Sequence, residues 1–237
     1  MVAKKSAQKG EPRQAIIEAM LELAADKKWR DISLNNIAAE AGVSLGDLSR
    51  HFATKTSIVA GFMANVDARL LDGLGKLSKV DTPRDRLFDV LMQRFDLLEL
   101  HKAALKNITS GVRRDPVAMA RLVCPALRTQ HLMMAGAGVT VTGVSGLVKH
   151  VGLAGVYGSV FCTWLKDDDP GLAKTMAALD RALRRGEGLL ARTELPLMLG
   201  QAVCDFARGW RKARRNRPAR DDTMKQAPED PGLKGAT

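Results

Sequence analysis

The run SLNNIAAEAGVSLGDLSRHF, residues 33–52, narrows the fold more than any other part of the chain. Ser33 stands where a helix N-cap belongs, ahead of a short helical pattern over residues 34–41. Ile32 and Ile37 hold the two positions of a hydrophobic staple. Gly42 is placed to end that helix, because the position after a C-cap favours a left-handed backbone. Ser44 then caps a second short helix over 45–52, with Val43 and Leu48 as its staple and Asp47 at the capping-box position. Two short capped helices joined by a tight glycine turn form a helix-turn-helix. Ala38 and Ala41 are small enough for close approach of the two helices. Leu48 and Phe52 look inward, which leaves Leu45, Gly46, Ser49, Arg50 and His51 looking outward.

The same letters contain GVSLG, which fits the Gly-x-Ser-x-Gly pattern of a hydrolase nucleophile. That motif needs a strand before the serine and a histidine and carboxylate elsewhere. Before Ser44 lies LNNIAAEAG, an alanine-rich helical run, and His101, His131 and His150 sit on helical patterns. Ser44 is therefore read as a cap, and the chain is not expected to be an enzyme.

Composition adds to this. Among 237 residues, only 4% are aromatic, and the formal net charge is +11. The first number favours helix over sheet; the second favours an anionic partner, nucleic acid or an anionic membrane surface. Cys124, Cys162 and Cys204 are far apart, with no C-x-x-C pair, so they are expected to be reduced core thiols. The opening residues lack the apolar stretch of a signal peptide, and no apolar run reaches transmembrane length. No cofactor or metal is expected. The three aspartates 167–169 lack the alternating spacing of a calcium loop, and Asp169 is read as the N-cap before Pro170.

Residues 13–62 resemble the DNA-binding domain of TetR-type regulators, through AIIEAMLELAADKKW, ISLNNIAAEAGVS, LSRHF and TKTSI in that order. The resemblance implies an all-α fold: an N-terminal three-helix head and a C-terminal helical domain for dimerisation and effector binding. Carried over residue by residue, Ser44 matches the cap of the recognition helix, and Leu45, Gly46 and Asp47 match base-facing positions. Lys55 matches a lysine that meets phosphate at the start of the fourth helix, with Thr54 beside it. Ser49 and His51 stand where the family usually carries aromatics. With Ser33 and Arg50 these make the expected DNA-binding set, and Lys4, Lys5 and Lys9 are expected to add phosphate contacts. Asp47 has two readings, as part of the cap or as an acceptor for a cytosine amino group.

The expected organisation is a disordered basic arm, 1–11; a helix-turn-helix domain, 12–54; a helical effector-binding and dimerisation domain, 55–215; and a disordered tail, 216–237. Within the third part, helices are expected over 55–77, 83–101, 102–112 and 116–135, the last kinked at Pro125. A loop over 136–146 and, at most, a strand at 139–142 come next. Further helices are expected to 166, over 170–190 and over 194–215. An effector pocket is expected among Met92, Phe95, Met119, Leu122, Met133, Phe161 and Trp164; these residues would suit an apolar small molecule. The expected function is a ligand-responsive dimeric repressor, in the cytoplasm, on a near-palindromic double-stranded DNA operator. A second resemblance, over residues 156–183, is to the ubiquinone-biosynthesis accessory proteins, which share the fold but bind lipid and membrane. It rests on Trp164, the acidic turn 167–169 and the run LDRAL. Under that alternative, Trp210 and the arginines near it would meet the membrane.

Overall fold

The computed structural model describes residues 11–75, 81–139 and 143–191, with side chains at all of these except 143–148 and 187–191. They lie in one compact unit, Met1–Arg192; the second unit, Thr193–Thr237, is outside the described residues. The basic arm, the helix expected over 194–215 and the tail are therefore not described.

Pro12 opens α1 (Pro12–Asp26), where its missing N–H costs nothing and its fixed φ suits the first turn. The helix buries Ile16, Ile17, Met20, Leu21, Leu23 and Ala24. A short 3₁₀ turn (Trp29–Asp31) leads to α2 (Leu34–Glu40) and α3 (Leu45–His51). The first body helix, α4 (Lys55–Gly73), starts on a complete capping box between Thr54 and Ser57. It stops at Gly73 rather than near 77, with Leu74 in extended backbone as its C-cap.

α5 (Pro83–Glu99) starts on a Thr82 cap with proline in its first turn. α6 (Lys102–Val112) keeps the expected bounds. α7 (Pro116–Gly136) is capped by Asp115 and runs on through Pro125 as a single helix. α8 (Gly143–Trp164) begins seven residues after α7 ends, so the loop expected over 136–146 is shorter than the glycines suggested. Val139 is not in a strand, and residues 140–142 lie outside the description. α9 (Ala173–Ala191) completes the described set, which is all-α.

The turn before α9 corrects the expected start at Pro170. Leu172 takes a left-handed φ of +51°, so proline's fixed backbone falls outside the helix. Two aspartates then share the capping. Asp169 accepts from the Ala173 N–H at 3.1 Å. Fully buried Asp167 accepts from both the backbone N–H and the hydroxyl of Thr175, at 2.8 and 2.7 Å. The Thr175 hydroxyl, foremost, holds the Asp167 carboxyl below its ordinary pKa.

The main packings pair α8 with α9, α1 with α6, and α4 with α7. α6 therefore docks the body on the head. Asn107 donates to the Ala24 and Ala25 carbonyls, at 3.0 and 3.3 Å, at the open end of α1. One turn later Gly111 meets Trp29 so closely that an added Cβ would lie 2.4 Å from the Trp29 side chain. In the body core, Arg94 donates to Asp67 at 3.0 Å and also to Tyr157, while Thr129 donates to Asp67 at 2.6 Å. Asp67, Arg94 and Thr129 are buried, so each charge depends on its partners. The network ties α4 to α5, α7 and α8.

Candidate nucleic-acid interface

The head is built by the caps. Ser33 Oγ accepts from the Asn36 N–H at 3.1 Å, and the Asn36 amide oxygen accepts in return from the Ser33 N–H at 3.0 Å. Gly42 has φ +67°, the left-handed conformation that lets the chain leave α2 and enter α3 across only four residues. Ser44 Oγ accepts from the Asp47 N–H at 3.0 Å. Beneath the turn, Ile37 and Leu48 are fully buried and Phe52 nearly so, which fixes α3 against α1 and α2. Phe52 lies under the Arg13 guanidinium, 5.4 Å from ring centroid to Cζ. Arg13 and its partner Asn65 on α4, at 3.1 Å, were not singled out in the sequence, because nothing in their spacing connects them.

Asp47 does not close the capping box in the expected way. Its Oδ2 accepts from the Ser44 hydroxyl at 2.6 Å, not from the Ser44 N–H, and its Oδ1 accepts from Arg50 at 2.5 Å. The Ser44 hydroxyl first, with the Arg50 guanidinium adding to it, holds the Asp47 carboxyl below its ordinary pKa. Ser49 donates to the Gly46 carbonyl at 2.8 Å, the local bond that a serine inside a helix commonly makes. Among the expected DNA-binding residues, Ser33, Ser44, Asp47 and Ser49 thus have polar groups engaged within the head.

Lys55 departs most from expectation. Its ammonium turns inward, donating to the carbonyls of Trp29 at 2.7 Å and Ile32 at 2.6 Å, and sits 4.5 Å from the centre of the Trp29 ring. Partial burial lowers its pKa, with Asp115 and Asp31 pulling the other way. A lysine at a helix start meets solvent anions only when nothing nearer competes, and here two carbonyls and an indole face do. Thr54 likewise shares a hydrogen bond with Thr56 at 2.9 Å and accepts from the Ser57 N–H. The sequence carried no sign of this, since Trp29 and Lys55 meet only through the fold.

The outer face of α3 is left to few groups. Leu45 is 48% exposed, and the Arg50 side chain 75% exposed. His51 is exposed without a hydrogen-bond partner among the described residues. At Gly46 an added Cβ would meet only the Ser44 hydroxyl, at 3.6 Å, so nothing inside the fold requires a glycine there.

The residues expected to line an effector pocket pack in or against the core, Met119 excepted. Phe95, Met133 and Trp164 are fully buried core, Met92, Leu122 and Phe161 are partly buried against it, and Met119 is 41% exposed. Phe95, Tyr157, Phe161 and Trp164 form a chain of ring contacts with centroids 5.3 to 6.0 Å apart. Trp164 donates its indole N–H to Glu99 at 2.8 Å, which spends its polar edge on packing. A hollow of about 300 Å³ lies instead between α4 and α7, lined by Ala60, Met63, Asp67, Cys124, Pro125 and Arg128 among others. Apolar spacing marks Phe95, Met133 and Trp164 as inward-facing, but it does not distinguish residues that line a pocket from residues that fill a core. The acidic turn and Trp164, which carried the lipid-binding resemblance, serve as a cap and a core anchor. Among the described residues, no helix is long and apolar enough to cross a membrane, and no three metal-ligating side chains gather.

Comparison with known proteins agrees with this geometry. Residues 16–61 match the model described as bacterial regulatory proteins, tetR family. The HTH-type transcriptional regulator BetI of Pectobacterium carotovorum is 34% identical over 100 residues, covering 40% of this chain and 50% of that protein. The HTH-type transcriptional regulator PksA of Bacillus subtilis is 29% identical over 82 residues, covering 34% and 40%. The chain thus spans half the length, or less, of these curated relatives. Among solved structures, a TetR transcriptional regulator from Nitrosomonas europaea superposes with a TM-score of 0.59 at 21% identity, covering 74% of this chain and 97% of that one. One from Rhodococcus gives 0.58 at 22%, covering 74% and 95%. The fold is therefore TetR-like well beyond the head.

Proposed function

We propose that this chain, whose residues 16–61 match the model of the tetR family of bacterial regulatory proteins, is a DNA-binding transcriptional regulator: a ligand-responsive dimeric repressor, working in the cytoplasm on a near-palindromic operator. One observation carries the reading. The head is a doubly capped helix-turn-helix whose α3 is anchored by Leu48 and Phe52 and offers Leu45, Gly46, Arg50 and His51 to solvent. Such a helix fits the major groove, and a dimer would set two of them in successive grooves. Leu45 would meet a thymine methyl, Gly46 would let the backbone approach, and Arg50 and His51 would reach base edges or phosphate. Ser33, Ser44, Asp47, Ser49, Thr54 and Lys55 would shape the head from within. The net charge of +11 supports a polyanionic partner.

For the effector, the hollow between α4 and α7 is the better-supported site, because α4 begins at the head. Its lining mixes methyl groups with Arg128, while the Asp67 carboxylate there is buried and already held by Arg94 and Thr129, so it favours a small, largely apolar ligand with an acceptor for Arg128. The test is a gel-shift with the region upstream of the chain's own gene and with genomic fragments. A retarded band that weakens with rising salt is expected; no shift on any fragment at low salt rejects the reading.

A further inference from the structure

On the outer face of α3, hydrogen-bonding capacity is distributed unevenly. The Asp47 carboxylate is held at both oxygens, by the Ser44 hydroxyl at 2.6 Å and the Arg50 guanidinium at 2.5 Å. A carboxylate held in this way has about half of its acceptor sites filled and its direction set by two partners, so a cytosine amino group would have to compete with both. The Ser44 and Ser49 hydroxyl protons are also spent, on Asp47 and on the Gly46 carbonyl. Arg50 differs: a guanidinium has five N–H donors, and among the described residues only the bond to Asp47 is made. Its side chain is 75% exposed, yet its direction is fixed by an ion pair one helical turn back. A guanidinium fork matches the O6 and N7 acceptors of guanine.

We infer that Asp47 reads no base but aims Arg50, whose free fork takes a guanine edge in each operator half-site. This rests on the regulator reading above. Asp47 is thus a positioning residue and Arg50 the specificity-determining one. The negative charge of Asp47 has a second effect, since it opposes loose attraction of Arg50 to phosphate and so favours the base edge. Removing it therefore has opposite consequences for generic and for specific binding. A residue that only capped the helix would weaken both.

The test uses the full chain. A preferred duplex is selected from a randomised library. Wild type, Asp47→Asn, Arg50→Lys and Arg50→Ala are then compared on that duplex, on copies with single base pairs replaced, and on a generic duplex at matched salt. Circular dichroism checks that each variant keeps its helix content. Wild type is expected to prefer G·C at one position per half-site by about 10- to 100-fold. Arg50→Lys and Arg50→Ala should bring that preference close to one while leaving other positions alone. Asp47→Asn should flatten the same position and bind the generic duplex several-fold more tightly, as loss of a charge facing phosphate implies. A preference that survives Asp47→Asn or Arg50→Lys overturns the inference. So does a preference lost together with weaker binding to every duplex, which assigns Asp47 to the cap alone. If wild type selects no sequence, the regulator reading itself fails, a result distinct from either.

Discussion

At Gly42 one residue decides how α2 hands over to α3. Its φ of +67° lies in the left-handed region, and an added Cβ would meet nothing within 4 Å. The cost of a side chain there is conformational and not steric. Gly42→Ala is expected to lower unfolding free energy by roughly 1–2 kcal/mol, and Gly42→Asn by less, since asparagine tolerates that backbone. Denaturant midpoints of the two variants check the order; an alanine as stable as the wild type would contradict it. Gly42, Ser33 and Ser44 were legible in the sequence because caps and left-handed turns are local and each demands a particular residue type. Lys55 was not, because its partners are main-chain carbonyls of Trp29 and Ile32 that only the folded chain brings near. Arg50 falls between. Its pairing with Asp47 follows from i,i+3 spacing, but which oxygen each partner would take depends on the Ser44 hydroxyl.

Helices α6 and α9 show how elements are joined by small residues and buried acids. Gly111 lets α6 lie close on Trp29, and a methyl group there would overlap the Trp29 side chain at 2.4 to 2.6 Å. Gly111→Ala is expected to cost about 1–3 kcal/mol through overpacking and to loosen head from body. A lowered melting temperature with weaker DNA binding is the expected pair of results. At the start of α9, Asp167 is more acidic in the fold than its ordinary value of 3.8. Its contribution is therefore present in full above that value and lost as pH falls through the lower folded one. Asp167→Asn forgoes that contribution at neutral pH and should show a shallower loss of stability on acidification, measured by denaturant titration across the acid range. The existence and most bounds of the helices were legible from apolar spacing. The start of α9 was not, because Asp-Pro imitates a helix opening while the left-handed Leu172 postpones it. Nor was the filled state of the aromatic cluster around Phe95, since volume is set by neighbours from several helices at once.

For the molecule as a whole, the net charge of +11 and the small exposed surface of α3 set a division of labour. Long-range attraction would come from the whole chain, and discrimination from a few side chains. If a dimer neutralises some 6–10 phosphates, affinity should fall by about 10³ to 10⁵ between 50 and 200 mM salt. Half-site centres should fall about one helical turn apart, or a multiple of it. Footprinting at several salt concentrations measures both; salt-independent binding would contradict the electrostatic part. All-α architecture was the most legible property of all, because low aromatic content and helical spacing agree along the chain.

Trp29 carries the Lys55 ammonium over its ring and meets the backbone of Gly111 at the root of its side chain. It therefore sits on the seam where body meets head, touched by α4 and by α6. An indole in such a place is a built-in optical gauge. With Trp164 and Trp210 exchanged for phenylalanine, the remaining emission comes from that seam alone. Its wavelength and quenching would then follow, in real time and without an attached dye, how firmly α6 holds the head while ligand or DNA is added.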